Sequence, residues 1–469
     1  MSYEHNDSMH RLLNIDDIAE GLNGMTATDE KMLFDYSALP GLRTTCPPEV
    51  NGLNILIRTE QSDSLGNCPK CGAVRGEGFK QNGTRPQYIL DEPRGIRSVR
   101  IKVERQGHYC KKCKISPQQP LIGVDDKRRM TTRLLRYVQI NSLLKPFSVV
   151  AQETALSART VKEIFTDYTQ MLDRSIRFKT PRVLGLDGVY IAGKECAILT
   201  DVEAGIVIDV WKEYRTEQLI DSLRRLPNCE KIEVVVIDMS RKLRKAVQKA
   251  LPDAVIVIDR FHIQRNANRG IDQVRMRLGM GRRLQSKMCT RDLLRKHWNK
   301  LNDAEKEFLG KWFDLQPELR LGYDLKEAFF AIWFSSSTAT AVARYQKWLE
   351  RLTPKLEKDF GELLTAMKNW KEHIFNYFDH PYTNAFTEQS NRQIKDIKRE
   401  TRGCGFETAR AKSIYGTLIK REMDAARDQM RLKRRRKANR SQSGNGSESA
   451  PPLLVEAGGG QDSTQASLF

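Results

Sequence analysis

Two hydrophobic periods alternate along the chain. Between residues 182 and 259 apolar side chains come in short runs: Val183 to Ile191, 194 to 202, Gly205 to Trp211, Val234 to Asp238, and Ala254 to Asp259. Turns at Ala192-Gly193 and Glu203-Ala204-Gly205 divide the first three runs, and helical stretches at 216–226 and 240–251 divide the rest, so five strands are predicted. From Thr131 the period is helical instead. Leu134, Leu135, Val138 and Leu143 make one stripe, Phe147, Val150 and Ala151 a second, and Ala158 to Leu172 a third helix with Ser157 as its N-cap. Residues 264–380 are again helical and strongly charged. Phe360, Leu363, Leu364, Met367, Trp370, Ile374 and Phe378 recur there at helical spacing, which predicts a separate all-α insert with its own core and mostly packed tryptophans.

Three antiparallel strands followed by alternating helix and strand is the order of a ribonuclease-H-like sheet, in which the first and fourth strands are neighbours. Those two strands carry Asp187 and Asp238 inside apolar runs. An ionised carboxylate costs several kcal/mol to bury unless a cation or hydrogen bonds compensate, so two on adjacent strands imply a shared cation. Asp259 and His262 close the last strand as D-x-x-H, either as a second shell to that cluster or as a structural histidine. Glu388, on a predicted helix ending at Gly403, is the third carboxylate. At about 100° per residue, Asn391, Arg392, Lys395, Arg399 and Arg402 share its side and suit phosphate, while Phe386, Ile394 and Ile397 lie opposite. Taken alone, Glu388 could equally be an ion-pair partner of Lys395 or Arg392.

Composition narrows the partners. At 469 residues, about two to four domains are expected. A formal charge of +20 favours a polyanion, and without an apolar run of membrane length DNA is the stronger reading. The N-terminus lacks the order of a signal peptide, which predicts a cytoplasmic protein. Four of the nine cysteines form two CxxC knuckles, Cys68/Cys71 and Cys110/Cys113, around alternating strand segments. This spacing predicts tetrahedral thiolate ligation of a structural Zn²⁺, with redox thiols as the alternative and His108 as a bystander. The three helices that follow have the layout of a helix-turn-helix, with Ser157, Arg159, Thr160 and Lys162 at the end that reads DNA bases, or else form a plain connector. A basic run, Arg431 to Lys437, and a Ser/Gly/Pro-rich tail predict a disordered arm.

The chain resembles the bacterial insertion-sequence transposases of the DDE class, and within it the ISL-three family, over roughly residues 60–425. The resemblance rests on Cys68-Pro-Lys-Cys71, Leu186-Asp187-Gly-Val, Val236-Ile-Asp238-Met-Ser, Asp259-Arg-Phe-His262 and Glu388-Gln-Ser-Asn391-Arg-Gln-Ile-Lys395 in that order. It implies Asp187, Asp238 and Glu388 as the catalytic triad. The expected architecture is multidomain: an N-terminal segment (1–60), a zinc ribbon (61–125), a helix-turn-helix (126–178), a ribonuclease-H-like α/β catalytic domain (179–263 and 381–425) interrupted by the all-α insert (264–380), and a basic tail (426–469). Three clustered carboxylates select hard divalent ions, two Mg²⁺ or Mn²⁺. The expected activity is cleavage and transfer of double-stranded DNA at terminal inverted repeats and at a target, by a homodimer or larger assembly in the bacterial nucleoid. Two alternatives compete: a zinc-ribbon and helix-turn-helix regulator with an inactive sheet domain, and a structure-selective nuclease that cuts without joining.

Overall fold

A computed structural model describes residues 37–279 and 290–443. The chain divides into two compact units, residues 1–417 and 418–469.

The first sheet starts earlier than residue 61. Strands β1 (Leu42–Thr44), β2 (Glu49–Asn51) and β3 (Asn54–Gln61) join the long hairpin β4 (Phe79–Arg94) and β5 (Arg97–Cys110), with β6 (Val124–Asp125) and β7 (Met130–Thr131) at the far edge. Buried and exposed positions alternate along β3, and it pairs in parallel with β5, Ile57 opposite Ile101. Ile55, Ile57, Ile89, Val99, Ile101 and Val103 form the core of this sheet. Residues 42–61, mostly within the segment given no role in the sequence, therefore form one flank of this sheet; residues 1–36 lie outside the described residues.

Three helices follow: α1 (Thr132–Leu144), α2 (Phe147–Thr154) and α3 (Ala158–Ser175). The Thr131 hydroxyl accepts from the Leu134 amide and the Ser157 hydroxyl from the Thr160 amide, so both caps are made by hydroxyl side chains. Ala155 turns the chain between α2 and α3 at φ 56°. The buried carboxylate of Asp91 accepts from Thr131 Oγ1 (2.7 Å) and Arg133 Nε (2.6 Å), tying the sheet to α1.

The second sheet comprises β8 (Val183–Ile191), β9 (Lys194–Asp201), β10 (Ile206–Trp211), β11 (Val234–Ile237) and β12 (Val255–Ile258). Its order is β10-β9-β8-β11-β12, with β8, β11 and β12 parallel and the rest antiparallel, as expected. All four residues of β11 are buried, which is why that stretch reads as a continuous apolar run. Helices α4 (Thr216–Arg224) and α5 (Arg241–Ala250) provide the crossovers.

From the end of β12 the chain enters α6 (Arg260–Arg277), then α7 (Thr290–Arg295), α8 (Asp303–Leu315), α9 (Pro317–Phe330), α10 (Thr338–Leu349), α11 (Pro354–Asp359) and α12 (Gly361–Phe375). The expectation of a separate core fails. Ile263, Ala267, Ile271 and Val274 of α6 join sheet residues such as Leu186 and Ile258 to Leu319, Trp348, Phe360 and Ile374 in one continuous core. The reason is that α6 starts directly at the strand end, and Phe360 packs where Gly270 leaves no side chain; a Cβ there would lie 2.3 Å from its ring. Trp348 and Trp370 are buried, Trp312 and Trp333 half-buried, and Trp298 is at the surface.

Helix α13 (Ala385–Glu400) returns to the sheet, followed by α14 (Phe406–Ala411) and a π-helical turn, Lys412–Gly416. The Gly403 amide donates to Lys398 O (2.9 Å), the glycine stop expected for α13. The buried Lys412 ammonium caps the carboxyl end of α1 at Lys145 O (2.7 Å) and Ser142 O, and Arg410 bridges Asp173 (3.0 Å) and Asp209 (2.8 Å). The trihelical unit is thus anchored to the second sheet by buried polar contacts. In the second unit the basic run belongs to a helix ending at Ser443, not to an unstructured arm. Arg, Lys, Met, Gln and Ala all favour helix, and Arg427–Asp424 and Arg431–Asp428 pair at i,i+3 spacing. The tail beyond Ser443 lies outside the described residues. Among the described residues no helix is long and apolar enough to cross a membrane.

Candidate active site and metal centres

The cysteine knuckles meet at the open end of the β4–β5 hairpin, where Phe79 pairs with Cys110. The Cys68 amide donates to Ala73 O and the Gly72 amide to Cys68 O, both at 2.9 Å, closing one tight turn; the Cys110 amide donates to Ile115 O (2.9 Å) in the other. All four thiols of Cys68, Cys71, Cys110 and Cys113 lie within 4.8 Å of one another. That crowding of soft donors on two turns fits a tetrahedral structural zinc. The Ala73 amide and then the Cys113 thiol lower the Cys71 pKa to about 7, toward the thiolate a metal would bind. His108 is buried and stacked on Phe79, centroids 5.3 Å apart, and neither ring nitrogen has a hydrogen-bond partner. It packs beside the cluster.

The carboxylates converge at one edge of the second sheet. Ile237 pairs with Leu186, so Asp238 leaves β11 level with Asp187 on β8. The Asp259 amide donates to Ile237 O (3.2 Å), and its side chain caps α6 through the Phe261 amide. One turn into α6, His262 Nε2 lies 3.1 Å from Glu388 Oε1, and ligand atoms of Asp259, His262 and Glu388 fall within 4.8 Å of one another. Of the two residues expected to support the cluster, His262 thus contacts Glu388 directly, and Asp259 lies close by.

Glu388 is positioned by the way α13 lies along β8. A Cβ on Gly185 would stand 2.3 Å from Thr200 Oγ1 and 2.5 Å from Thr387 Oγ1, so the helix comes as close as a bare backbone allows. Thr387 and Thr200 share a hydrogen bond of 2.7 Å there. Four residues on, Asn391 Nδ2 donates to Asp187 Oδ2 at 2.6 Å. The spacings match: four helical residues rise about 6 Å and two strand residues about 6.6 Å. Asn391, read from the sequence with the phosphate-facing set, therefore points inward. The buried face of α13 is Thr387, Ser390, Asn391 and Ile394, mostly polar, while Phe386 and Ile397 are half-buried. No hydrophobic count would have chosen that face. The signal was present as small and amide residues recurring every three or four positions from Asn384.

Burial, then the charge of Asp238, pushes the Asp187 pKa up to about 7, against hydrogen bonds from the Gly188 amide and Asn391. Burial likewise raises Asp238, offset in part by His262, and raises Asp259. Asp238 Oδ1 is buried with no hydrogen-bond partner. A buried orphan oxygen beside a carboxyl that resists ionising is the electrostatics of a site completed by cations, and hard oxygen donors fit Mg²⁺ or Mn²⁺. A further residue that the sequence reading missed is Tyr214: its ring would touch a Cβ on Gly188 at 3.0 Å, and its hydroxyl bonds Ser240.

The basic residues expected to meet DNA lie mainly at the surface. Ser157, Arg159 and Lys162 are exposed and Thr160 half-exposed, with Arg159 paired to Glu163 (3.0 Å). Arg392, Lys395, Arg399 and Arg402 are exposed on the outer side of α13 and the turn after it; Arg392 reaches 3.9 Å from Glu388 and Arg399 pairs with Asp396. Lys162 and Arg402 line the same cleft, about 750 Å³, between α2 and that turn.

The chain is similar to known transposases. The sequence profile of the ISL-three DDE transposases, described as "Transposase", matches residues 184–413, from β8 to the π turn. The transposase for insertion sequence element IS1001 of Bordetella parapertussis is 22% identical over 369 residues, 76% of this chain and 89% of that protein. With the matching stretch carrying the sheet, the helical insert and the helix bearing Glu388, the chain belongs, through residues 184–413, to the ISL-three family of DDE transposases.

Proposed function

We propose that this transposase binds the terminal inverted repeats of its element through the four-cysteine ribbon and the helix-turn-helix of α1–α3, then cuts and joins DNA strands at Asp187, Asp238 and Glu388. The observation that carries the reading is a half-buried carboxylate cluster drawn from two strands and a distant helix, with one buried orphan oxygen on Asp238. Asp187, Asp238 and Glu388 would hold two Mg²⁺ or Mn²⁺ ions, whose Lewis acidity would serve to activate a water or a 3′-hydroxyl and to stabilise the leaving oxygen. Asn391 holds Asp187 Oδ2 and the Gly188 amide holds Oδ1, so the carboxylate is oriented before any ion arrives. His262, 3.1 Å from Glu388 Oε1, orients Glu388 in the same way. Arg392, Lys395, Arg399 and Arg402 are the phosphate contacts of this reading, and Ser157, Arg159, Thr160 and Lys162 the base contacts. Cys68, Cys71, Cys110 and Cys113 hold zinc, and two or more copies assemble on DNA.

The test separates chemistry from grip. Glu388→Gln should abolish Mg²⁺-dependent nicking of the element ends while sparing binding. Lys395→Ala should weaken binding to any sequence and make its salt dependence shallower by about one phosphate contact. Nicking by Glu388→Gln at the wild-type rate would reduce Glu388 to an ion-pair partner of His262.

A further inference from the structure

Beside the carboxylates lie two clefts that share a wall. The first, about 630 Å³, runs from Asp238 and His262 past Arg265 and Arg269 to Asn369 and Trp370. The second, about 590 Å³, starts at the same Asn369 and Trp370 and continues past Arg244, Lys368 and Lys371. Helix α12 forms a side of both. Apart from Asp238 itself, the carboxylates along this path are Glu362, paired with Arg269 at 2.9 Å, and Glu372. The excess is cationic, and it is pre-positioned. The Arg244 guanidinium lies over the Trp370 ring at 4.2 Å from its centroid and donates to Asn369 O (3.0 Å), at the junction of the two clefts. Arg265 is set 3.2 Å from His262 Nδ1, at the mouth of the active site. Lys368 and Lys371 are exposed.

We infer that this path is a DNA-strand track, in which the phosphates on one side of the scissile bond run from Asp238 along α12 to Lys371. This rests on the proposed cutting at Asp187, Asp238 and Glu388, and it adds a contact surface separate from the helix-turn-helix and from the basic face of α13. A planar guanidinium held, like that of Arg244, by a ring and a carbonyl suits phosphate oxygens, because little side-chain freedom remains to be lost on binding. The length also fits. From Gly361 to Lys371 the helix rises about 15 Å, the span of about four phosphates along one strand of a duplex. A protein partner is less well matched, since charged and amide groups outnumber apolar ones along both clefts.

The test uses the full-length protein. The double variant Lys368→Ala/Lys371→Ala, titrated against a fluorescein-labelled duplex of the element end, should bind several-fold more weakly, with a salt dependence shallower by about two phosphate contacts. Its melting temperature and zinc content should not change. A photo-crosslinker on Lys368→Cys should attach to nucleotides within about five of the cut. Unchanged affinity and salt slope, or an adduct with a second protein copy in place of DNA, would overturn the track. Should the wild-type protein fail to cut any element end, the catalytic reading falls, while the salt slope and the crosslink still judge the track.

Discussion

The four-cysteine cluster and the carboxylate cluster are built on opposite plans. The thiols come from residues 68 to 113, on turns at one end of a single hairpin, and each turn is closed by its own backbone hydrogen bonds. The carboxylates come from residues 187, 238, 259 and 388, and their arrangement depends on strand register and on a helix brought back after a long helical excursion. A site closed by local turns needs little from the rest of the fold, because the loop it closes is short. A site assembled across 200 residues is only as exact as the packing between its elements, and here that packing is the contact of α13 with Gly185.

This contrast predicts unequal sensitivities. The largest effect should come from removing a thiol: Cys68→Ser or Cys110→Ser should release zinc and unfold the ribbon, abolishing specific binding of element ends, while Mg²⁺-dependent nicking of non-specific DNA partly survives. Elemental analysis of freshly purified protein, alongside end-binding titrations, checks both halves. Finding no zinc in the wild-type protein would remove the structural role of the cluster.

Next in size is Gly185→Ala. The new methyl group meets two hydroxyls closer than real contacts allow, so α13 must shift, at about 1–3 kcal/mol for the overpacking. Cleavage should fall with stability while zinc content stays the same. Pairing it with Thr387→Ala, which removes one of the obstructing oxygens, should recover part of both losses. If Gly185→Ala cuts normally, the α13 contact does not position Glu388.

How much of this could be read in the chain follows the same division. The CxxC pairs, the five strands, the caps at Ser157 and Gly403, and the carboxylates within apolar runs were visible because each is set by neighbours in sequence, and the strand order followed from three antiparallel strands succeeded by alternating helix and strand. The inward turn of Asn391 was not. Its helix buries a polar face against a strand backbone, and a periodicity argument that counts apolar residues assigns such a face to solvent. The insert's lack of a separate core was hidden for a related reason. Stripes on α6 and α12 show that a face is buried but not against what, and the single glycine at 270 decides where Phe360 goes. The apolar run Leu53 to Ile57 marked β3, whereas β1 and β2 were missed for being three residues long; they are held by pairing with β3.

A smaller effect concerns pH in the absence of added Mg²⁺. The Asp187 pKa is raised from an ordinary 3.8 to about 7, so the folded protein holds that proton more tightly than the unfolded chain does. Its contribution to stability is full below about pH 4 and is lost as pH rises through about 7, which should appear as a falling melting temperature across that window. Asp187→Asn should flatten that fall, and Mg²⁺ should offset it in the wild-type protein only. An identical pH profile for wild type and variant would mean that the carboxyl is not under this strain.

The most direct test of the central claim is nicking of an element-end duplex by Asp187→Asn in Mg²⁺, with binding measured on the same preparation. The predicted result is no nicking, end binding equal to that of the wild type, and a melting temperature equal or higher, since one member of a repelling pair has been neutralised. Nicking at the wild-type rate would contradict the account, because the carboxylate cluster could then not be where the phosphodiester chemistry takes place.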